Sequence, residues 1–292
     1  MRYSIGRSLE RLGTEYLDLV YCHDVEFVTP AEVLVAVQEL RRLRDVEGRV
    51  RSVGISGYPV HLLCELAELV LRETGEPLDA VMSYANFTLQ NTTLFSDGME
   101  RLRSAGVAVV PNASVLGMGL LRSGGVPVGG GGDFHPAPSE LRRVVAEAAA
   151  FTEERGERLE VVAIRWALEN WAQRGVVRGG RGDIGVSVMG VSSVVELEET
   201  MRVWNSVLDG LDIAGREVGD QDKAWSLARR KQVDALAKGV RDVLGRWTNF
   251  TWPSPDEDYV NIRAVKGVVD EVAPMPVVRD ELAAKVEKFS RL

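Results

Sequence analysis

Five short, almost entirely apolar segments, separated by helical patterns, constrain the fold of this chain more than any other feature. The apolar segments are residues 17–23, 51–56, 79–85, 107–113 and 184–190. The helical patterns are residues 5–13, 30–47, 60–74, 93–105, 139–155, 158–173 and 194–209. Such alternation is typical of a parallel sheet covered by helices. A doubly wound sheet and a TIM-type barrel both satisfy it, and periodicity alone does not separate them.

The last part of the chain, residues 210–292, has a different composition. Residues 212–246 are strongly charged and helical in pattern, residues 251–261 contain two prolines, and residues 278–291 have the pattern of an exposed helix. We therefore predict an α/β domain over residues 1–209 and a C-terminal helical extension wrapped on it. Partial disorder of the extension is the alternative.

Charge and composition exclude several classes of protein. Lys and Arg number 35 against 43 Asp and Glu, a net charge of −8, and no basic patch is present that would bind nucleic acid or an anionic membrane. No run of about 18 apolar residues predicts a transmembrane helix, and residues 1–13 lack the apolar core of a signal peptide. Cys22 and Cys64 lack metal-site spacing and fit a reducing compartment. We therefore expect a cytoplasmic protein without a metal.

A histidine ends the first predicted strand. His23 is followed by the carboxylates Asp24 and Glu26, and ligand sites in parallel α/β proteins lie at the carboxyl ends of strands. His23 is therefore a candidate catalytic residue, although a structural role is the more common one when the position is taken alone. His61 lies in the first turn of a predicted helix, and His135 precedes a proline in a loop, where we expect it to be solvated.

Two loops that follow predicted strands are candidates for binding phosphate. Residues 114–120 (SVLGMGL) contain glycines that allow a ligand to approach the backbone. Residues 190–193 (GVSS) lead into a helix and carry hydroxyls suited to its N-cap. In TIM-type barrels the loops after the last two strands frequently bind phosphate, whereas a tight loop without a ligand is the alternative for each. The glycine-rich residues 124–132 predict either a mobile lid or a surface loop.

Four segments together resemble the aldo-keto reductase family. They are SLERLGTEYLDLVYCHD (8–24), VRSVGIS (50–56), VVPNASVLGMGLL (109–121) and VMGVSSVVELEET (188–200). Their order and spacing agree with that family's histidine-terminated strand, its Gly-x-Ser strand, its Ser-Pro-Leu-Gly-x-Gly loop and its dinucleotide loop. The pieces CHDVEF, MSYANF, GMGLL and GVSSV are most similar to the L-galactose dehydrogenase and fungal NAD-dependent D-arabinose 1-dehydrogenase type. The resemblance covers residues 3–209.

The resemblance implies a TIM-type (β/α)8 barrel that binds a nicotinamide cofactor. It aligns the first strand here with the fourth strand of the family, so we expect an N-terminally truncated barrel of about five β/α units. His23 corresponds to the family's catalytic histidine, whereas its tyrosine, lysine and aspartate partners have no counterparts. Five strands cannot close such a barrel, and the open sheet would expose two strand edges. A truncated gene model, a fragment or pseudoenzyme, and completion by another chain are the explanations, in that order.

The resemblance also assigns roles to individual residues. The cofactor residues it implies are Ser56 and Ser83 at the carboxamide, Ser114, Leu116 and Gly119 at the pyrophosphate, and Gly190, Ser192, Ser193 and Glu199 at the adenosine end. The residues implied to face the sugar are Asp24, Glu26 and Phe27.

Several departures from the family pattern concern the cofactor. They are Gly57 for asparagine, Ser83 for glutamine, Ala113 for an aromatic residue that stacks on the nicotinamide, and Thr200 for asparagine. Members that bind NADP have basic residues at positions that here hold Gly190 and Glu196. Because a carboxylate repels a 2′-phosphate, the sequence predicts NAD rather than NADP. A solvated helix face is the alternative role for Glu196.

The predicted function of the intact parent protein is NAD-dependent oxidation of an aldose (D-arabinose, L-galactose or L-fucose) at C1 to the lactone. We expect little activity from this chain alone, because three coupled acid–base groups are missing and neither Tyr21 nor Tyr84 is expected to replace the tyrosine. A non-catalytic binding or regulatory protein that uses a partial barrel is the alternative. A barrel glycosidase is disfavoured, because Asp24 and Glu26 lie on one loop rather than on opposite faces of a sugar.

Overall fold

The computed structural model describes residues 1–126, 135–177, 183–211, 213, 215–256 and 258–261. The chain divides into a compact unit, Met1–Asp258, and a second unit, Tyr259–Leu292, of which only residues 259–261 are described. Most of the predicted lid and the predicted helix at 278–291 lie outside the described residues. The predicted division between residues 209 and 210 stays a prediction.

Five parallel strands form one sheet in the order in which they occur in the sequence. The strands are β1 (Leu17–His23), β2 (Val50–Gly57), β3 (Ala80–Tyr84), β4 (Asn112–Ala113) and β5 (Ser187–Val188). A doubly wound sheet needs a point at which the strand order reverses, and these five strands contain no reversal. Their order is that of consecutive units in a TIM-type barrel. The predicted barrel-type fold is therefore confirmed, and the doubly wound alternative is wrong.

Helices connect the strands and continue after the last one. They are α1 (Arg2–Leu12), α2 (Pro30–Asp45), α3 (Val60–Thr74), α4 (Met99–Ser104), α5 (Ser139–Glu153), α6 (Leu159–Arg174), α7 (Val194–Asp209) and α8 (Asp220–Leu244). Short irregular turns occupy Val25–Phe27, Leu94–Gly98 and Gly245–Trp247. At the start of α2, the Thr29 hydroxyl accepts from the Glu32 N–H at 3.3 Å and the Glu32 carboxylate accepts from the Thr29 N–H at 2.8 Å. This reciprocal capping fixes the first turn.

The predicted limits of the helices are more accurate than those of the last two strands. The limits of β1, α3 and α7 match the prediction, but the apolar segments 107–113 and 184–190 form strands of only two residues each. Val107 and Val110 are completely buried although neither belongs to a strand. The apolar pattern therefore reports burial there and not strand pairing.

Side chains on the two faces of the sheet have different surroundings. Val53, Ile55 and Val81 are buried in the main hydrophobic core, which the helices cover. In β1, Val20 and Cys22 pack against this core. Because side chains alternate across a strand, Tyr21 and His23 point to the other face. That face, at its carboxyl end, carries the candidate catalytic histidine.

The two outer strands each have a single neighbouring strand among the described residues. Leu19 of β1 is 38% exposed and Val188 of β5 is 44% exposed. The exposed strand edges expected from the sequence are present in the described part of the chain.

A C-terminal strap, defined here as residues 245–256, follows α8 and returns to the carboxyl ends of the strands. The Gln90 side chain donates to the Trp247 carbonyl at 2.7 Å. The ring of Trp252 stacks on that of Tyr58, 9° from parallel, with a centroid distance of 4.8 Å. The strap therefore packs beside the loop that follows β2.

None of the helices in the described part of the chain combines the length and the apolar composition that crossing a membrane requires. Among the same residues, no three His, Cys, Asp or Glu side chains are grouped so that they could hold a metal ion. Cys22 and Cys64 are free thiols, and burial raises the pKa of each to about 11.

Candidate functional site

His23 and Asp24 lie side by side where β1 ends. The His23 Nδ1 atom lies 2.8 Å from Oδ1 of Asp24, and the side chains are 59% and 51% exposed. Asp24 has a φ of 56°, a left-handed backbone conformation that is uncommon outside glycine. The structure thus brings together the predicted catalytic histidine and one residue predicted to face the sugar, and both are open to a ligand.

A tyrosine of β3 forms a wall beside this histidine. The rings of Tyr84 and His23 lie within 17° of parallel at a centroid distance of 6.4 Å, and the Tyr84 hydroxyl donates to Oε1 of Glu26 at 3.4 Å. Burial of the phenol, and next the nearby Glu26 carboxylate, raise the pKa of Tyr84 well above its ordinary value. The hydroxyl is therefore neutral at neutral pH and is poorly suited to act as a base.

Glu26 is buried, only 7% exposed, unlike the neighbouring Asp24. Its Oε1 atom accepts from the Tyr58 N–H at 2.9 Å and from the Ser254 hydroxyl at 3.3 Å. Its Oε2 atom has no hydrogen-bond partner among the described residues and lies where a Cβ atom on Gly57 would stand. Glu26 thus joins the strap to the ends of β2 and β3. The third residue predicted to face the sugar, Phe27, is half-buried.

The two serines predicted at the carboxamide occupy different environments. Ser56 lies beside His23 in the sheet register, is completely buried, and its hydroxyl has no hydrogen-bond partner in the described part of the chain. Ser83, also completely buried, lies beside Gly57, and its hydroxyl accepts from the Asn86 side chain at 3.0 Å. Of these two hydroxyls, that of Ser56 is the one with no hydrogen-bond partner among the described residues.

A cavity of about 580 Å³ opens where β4 and β5 end. Residues predicted to bind the cofactor line it: Ser114, Leu116, Gly119, Gly190, Ser192 and Glu199. Ser193 lies outside this lining and caps α7, its hydroxyl accepting from the Glu196 N–H at 3.2 Å. The structure thus brings six predicted cofactor residues, from loops far apart in sequence, to one cavity.

Charged residues that sequence reasoning missed also line this cavity. Arg122 and Arg158 both reach it. Arg158 lies 3.6 Å from the Glu160 carboxylate, whereas Arg122 has no ion pair among the described residues. Arg122 directly follows the segment GMGLL, which is the sequence signal that identifies it.

The Glu196 carboxylate is engaged within its own turn. It accepts from the Ser192 N–H at 2.7 Å and from the Ser192 hydroxyl at 2.8 Å. These hydrogen bonds lower the pKa of Glu196. A fixed negative charge therefore stands at the rim of the cavity.

The expectation that His135 is solvated is wrong. His135 is 2% exposed; its Nδ1 atom accepts from the Ala137 N–H at 3.0 Å and its Nε2 atom donates to the Gly117 carbonyl at 2.8 Å. Its ring meets Trp252 edge-on at a centroid distance of 5.0 Å. Burial lowers the pKa of His135; the hydrogen bond to the Gly117 carbonyl opposes this shift, and the charge of Arg142 adds to it. His135 therefore supports the loop that contains Gly117. The sequence around His135, a histidine followed by a proline, did not indicate that it is buried.

The groups around the cavity fit a dinucleotide. The N-terminus of α7, a helix of 16 residues, and the Arg122 guanidinium both favour an anionic group such as a pyrophosphate. Ser56 lies outside the residues that line this cavity; its buried hydroxyl, which lacks a partner among the described residues, can hydrogen-bond to an amide.

Comparison with known proteins gives relatives among sugar dehydrogenases. The chain is 42% identical over 200 residues to D-arabinose 1-dehydrogenase of Saccharomyces cerevisiae, covering 68% of this chain and 55% of the relative. It is 30% identical over 258 residues to L-galactose dehydrogenase of Arabidopsis thaliana, covering 87% and 67%. It is 28% identical over 184 residues to D-threo-aldose 1-dehydrogenase of a Pseudomonas species, covering 62% of this chain and 53% of the relative. The matches thus span between about half and two thirds of the relatives' lengths.

A family model agrees with these likenesses and with the sheet order. Residues 1–215, more than half of the chain, match the model of the aldo/keto reductase family. The match includes β1 to β5 and the cavity-lining residues of α6 and α7. The chain therefore belongs to the aldo/keto reductase family.

Proposed function

We propose that the protein takes part in the NAD-dependent oxidation of an aldose at C1 to the lactone. The observation that carries this proposal is the cavity at the ends of β4 and β5, which gathers six predicted cofactor residues. The relatives named above are dehydrogenases of arabinose, galactose and aldoses. D-Arabinose, L-galactose and L-fucose are the sugars we propose.

The cofactor in this proposal supplies the acceptor for the hydride that leaves C1. We assign the pyrophosphate to the loop at Ser114–Gly119 and to Arg122, whose Cδ atom lies 3.8 Å from the position of a Cβ on Gly119. Gly190, Ser192 and Glu199 hold the adenosine end, and Ser193 contributes through the cap of α7. Ser56 and Ser83 hold the carboxamide, with Ser56 as the residue that has hydrogen-bonding capacity to spare.

We propose NAD in preference to NADP. The Glu196 carboxylate is held at the cavity rim by Ser192, where it would repel a 2′-phosphate. Gly190, at the other position that is basic in NADP-binding members, has no charge to offer. Arg122 belongs to the opposite loop and serves the pyrophosphate.

His23 is the catalytic residue in this proposal. It is exposed at the end of β1 beside Asp24 and Tyr84, so that a sugar hydroxyl can reach it. Asp24 and Phe27 border the sugar. Glu26 contributes to this side of the site from its buried position behind Tyr84, whose hydroxyl it binds.

A non-catalytic nucleotide-binding protein is the second candidate, and one observation favours it. Burial raises the pKa of Tyr21 to about 12 and that of Tyr84 further still. Neither tyrosine near His23 is therefore tuned to exchange a proton near neutral pH. For this reason we expect weak turnover by these 292 residues.

Binding and turnover separate the two candidates. NAD and NADP binding is measured by calorimetry on the purified chain, and NADH formation is followed with each of the three sugars. Binding of NAD with sugar-dependent NADH formation supports the dehydrogenase, and binding without turnover supports the second candidate. Absence of NAD binding contradicts both.

Substitution of Arg122 tests whether binding uses the proposed cavity. Because a charge-assisted hydrogen bond contributes about 1.5–3 kcal/mol, Arg122→Ala should weaken NAD binding by about ten- to a hundredfold. Arg11→Ala makes the same charge change on α1, outside the cavity lining, and should leave the affinity unchanged. Equal effects of the two substitutions would count against this cavity as the cofactor site.

A further inference from the structure

We propose that Asp24 is a positioning residue that holds neutral His23 in its Nδ1–H tautomer, so that Nε2 accepts the hydrogen bond of the substrate C1 hydroxyl. This inference rests on the proposed oxidation of an aldose. In this inference Asp24 acts by orienting His23, whereas the family resemblance implies only that Asp24 faces the sugar.

The contact between the two residues favours one tautomer. The Asp24 Oδ1 atom lies 2.8 Å from Nδ1 of His23. A lone pair on Nδ1 would face the negative oxygen at this distance, whereas a proton on Nδ1 would be attracted to it. The proton of neutral His23 therefore belongs on Nδ1, and the lone pair on Nε2.

The backbone at Asp24 holds the carboxylate in this place. Its φ of 56° is costly for a residue with a side chain, and this conformation begins the short turn Val25–Phe27. Among non-glycine residues, aspartate and asparagine adopt it most readily. The turn thus directs the side chain back towards the histidine that precedes it.

The Nε2 atom of His23 has no hydrogen-bond partner among the described residues, and the side chain is 59% exposed. The parallel Tyr84 ring limits one side of the imidazole, and the Tyr84 hydroxyl is directed to Glu26. A ligand therefore meets Nε2 without competition from these neighbours.

The tautomer decides which substrate form the histidine can orient. An alcohol can donate its O–H to an acceptor nitrogen, whereas a carbonyl cannot donate and is oriented by an N–H. With its proton on Nδ1, His23 is arranged for a hydroxyl that is to be oxidised. Positioning of this kind contributes to the rate by fixing the reacting group.

Two substitutions at position 24 separate the acceptor from the backbone conformation. Asp24→Asn keeps an oxygen acceptor and tolerates the left-handed conformation, and Asp24→Gly removes the side chain while adopting that conformation freely. Asp24→Gly should therefore change the tautomer of His23 without straining the turn.

The tautomers are read from long-range ¹H–¹⁵N spectra of protein labelled in its histidines, without cofactor, at a pH where they are neutral. His23 is assigned by its loss in His23→Asn. We expect the Nδ1–H form in the wild type and in Asp24→Asn, and a shift to the Nε2–H form in Asp24→Gly. His135 is an internal reference of the opposite kind, because its Nδ1 accepts from a backbone N–H.

The outcomes distinguish this inference from the proposed function. Wild-type His23 in the Nε2–H form, or an unchanged tautomer in Asp24→Gly, overturns the inference whatever the activity. In the oxidation assay, Asp24→Gly should lower kcat by a factor on the order of ten or more, while Asp24→Asn retains most of it. Failure of the wild type to oxidise any aldose overturns the proposed function, while the spectra still decide the tautomer.

Discussion

Glu26 and Gly57 occupy one shared volume at the carboxyl ends of β1 and β2. A Cβ atom on Gly57 would overlap Oε2 of Glu26 and would come within 3.3 Å of a Val25 methyl group. The carboxylate cannot move away freely, because Tyr58 and Ser254 donate to its other oxygen. The absence of a side chain at position 57 therefore has a physical cause, and the buried carboxylate provides it.

Gly57→Ala should consequently destabilise the protein. Overpacking in a buried region costs about 1–3 kcal/mol, measured as the change in the free energy of urea unfolding. Gly124→Ala is the control, because nothing lies within 4 Å of a Cβ there, and it should change stability by less than about 0.5 kcal/mol. Adding Glu26→Ala to Gly57→Ala should make the two losses less than additive, since the overlap disappears. Fully additive losses would show that the two residues do not share this volume.

At the residue scale, the sequence predicted those features that a short segment contains by itself. The loops around Ser114 and Ser192 were predicted as cofactor loops and line one cavity, although their roles stay predictions. The burial of His135 and the partners of Glu26 depend on contacts far along the chain, such as the one from Glu26 to Ser254. No local pattern carries that information.

Three helices, α6, α7 and α8, meet around a buried charge network. Arg165 and Glu169, one turn apart on α6, are 3% and 2% exposed, and Arg230 of α8 also binds the Glu169 carboxylate. The Arg165 guanidinium donates to the hydroxyls of Ser206 at 2.8 Å and Ser226 at 3.2 Å. Burial lowers the pKa of Arg165, and the neighbouring Glu169 carboxylate opposes this shift.

Removal of the shared carboxylate should loosen the contact between these helices. Glu169→Ala leaves two arginines without their partner, and breaking a buried pair in this way costs about 3–5 kcal/mol. Glu147→Ala is the matched control, because Arg143 and Glu147 form an i,i+4 pair in which the side chains are 60% and 53% exposed. It should cost less than about 0.5 kcal/mol. Similar losses of unfolding free energy in the two variants would mean that burial does not strengthen the α6 pair.

Helices were easier to predict than strands because their pattern is local. The segment of α7 repeats its apolar residues at helical spacing and follows the cap residue Ser193. Strand limits depend on a partner strand, and β4 and β5 pair over only two residues each. The surrounding apolar residues fill the core instead.

Across the whole molecule, whose net charge is −8, many arginines pair with carboxylates. Hydrogen bonds from arginine hold the pKa values of Glu68, Glu76 and Glu157 below the ordinary 4.5. Such groups stabilise the fold above pH 4.5, and this contribution is lost as the pH falls through their lowered values. The alternation of segments predicted a parallel sheet covered by helices, and the family resemblance predicted its barrel order. Neither predicted this network, because partners such as Arg229 and Glu157 lie far apart in the sequence.

His135 adds a second acid effect at higher pH. Its pKa in the fold lies below the ordinary 6.5, chiefly because it is buried. As the pH falls below 6.5, the unfolded chain therefore takes up a proton before the folded chain does, and stability declines. Urea unfolding followed against pH should show this decline before the carboxylate effect below pH 4.5 begins.

His135→Asn should flatten the upper part of that profile and leave the part below pH 4.5 in place. His61→Asn is the matched control, because His61 is exposed, and its profile should follow that of the wild type. High salt gives an independent check: it screens the exposed carboxylate pairs but does little to the burial of His135, so only the lower part should weaken. A wild-type profile that is flat between pH 6.5 and 4.5, or one that His61→Asn alters as much as His135→Asn, would contradict the assignment to the buried histidine.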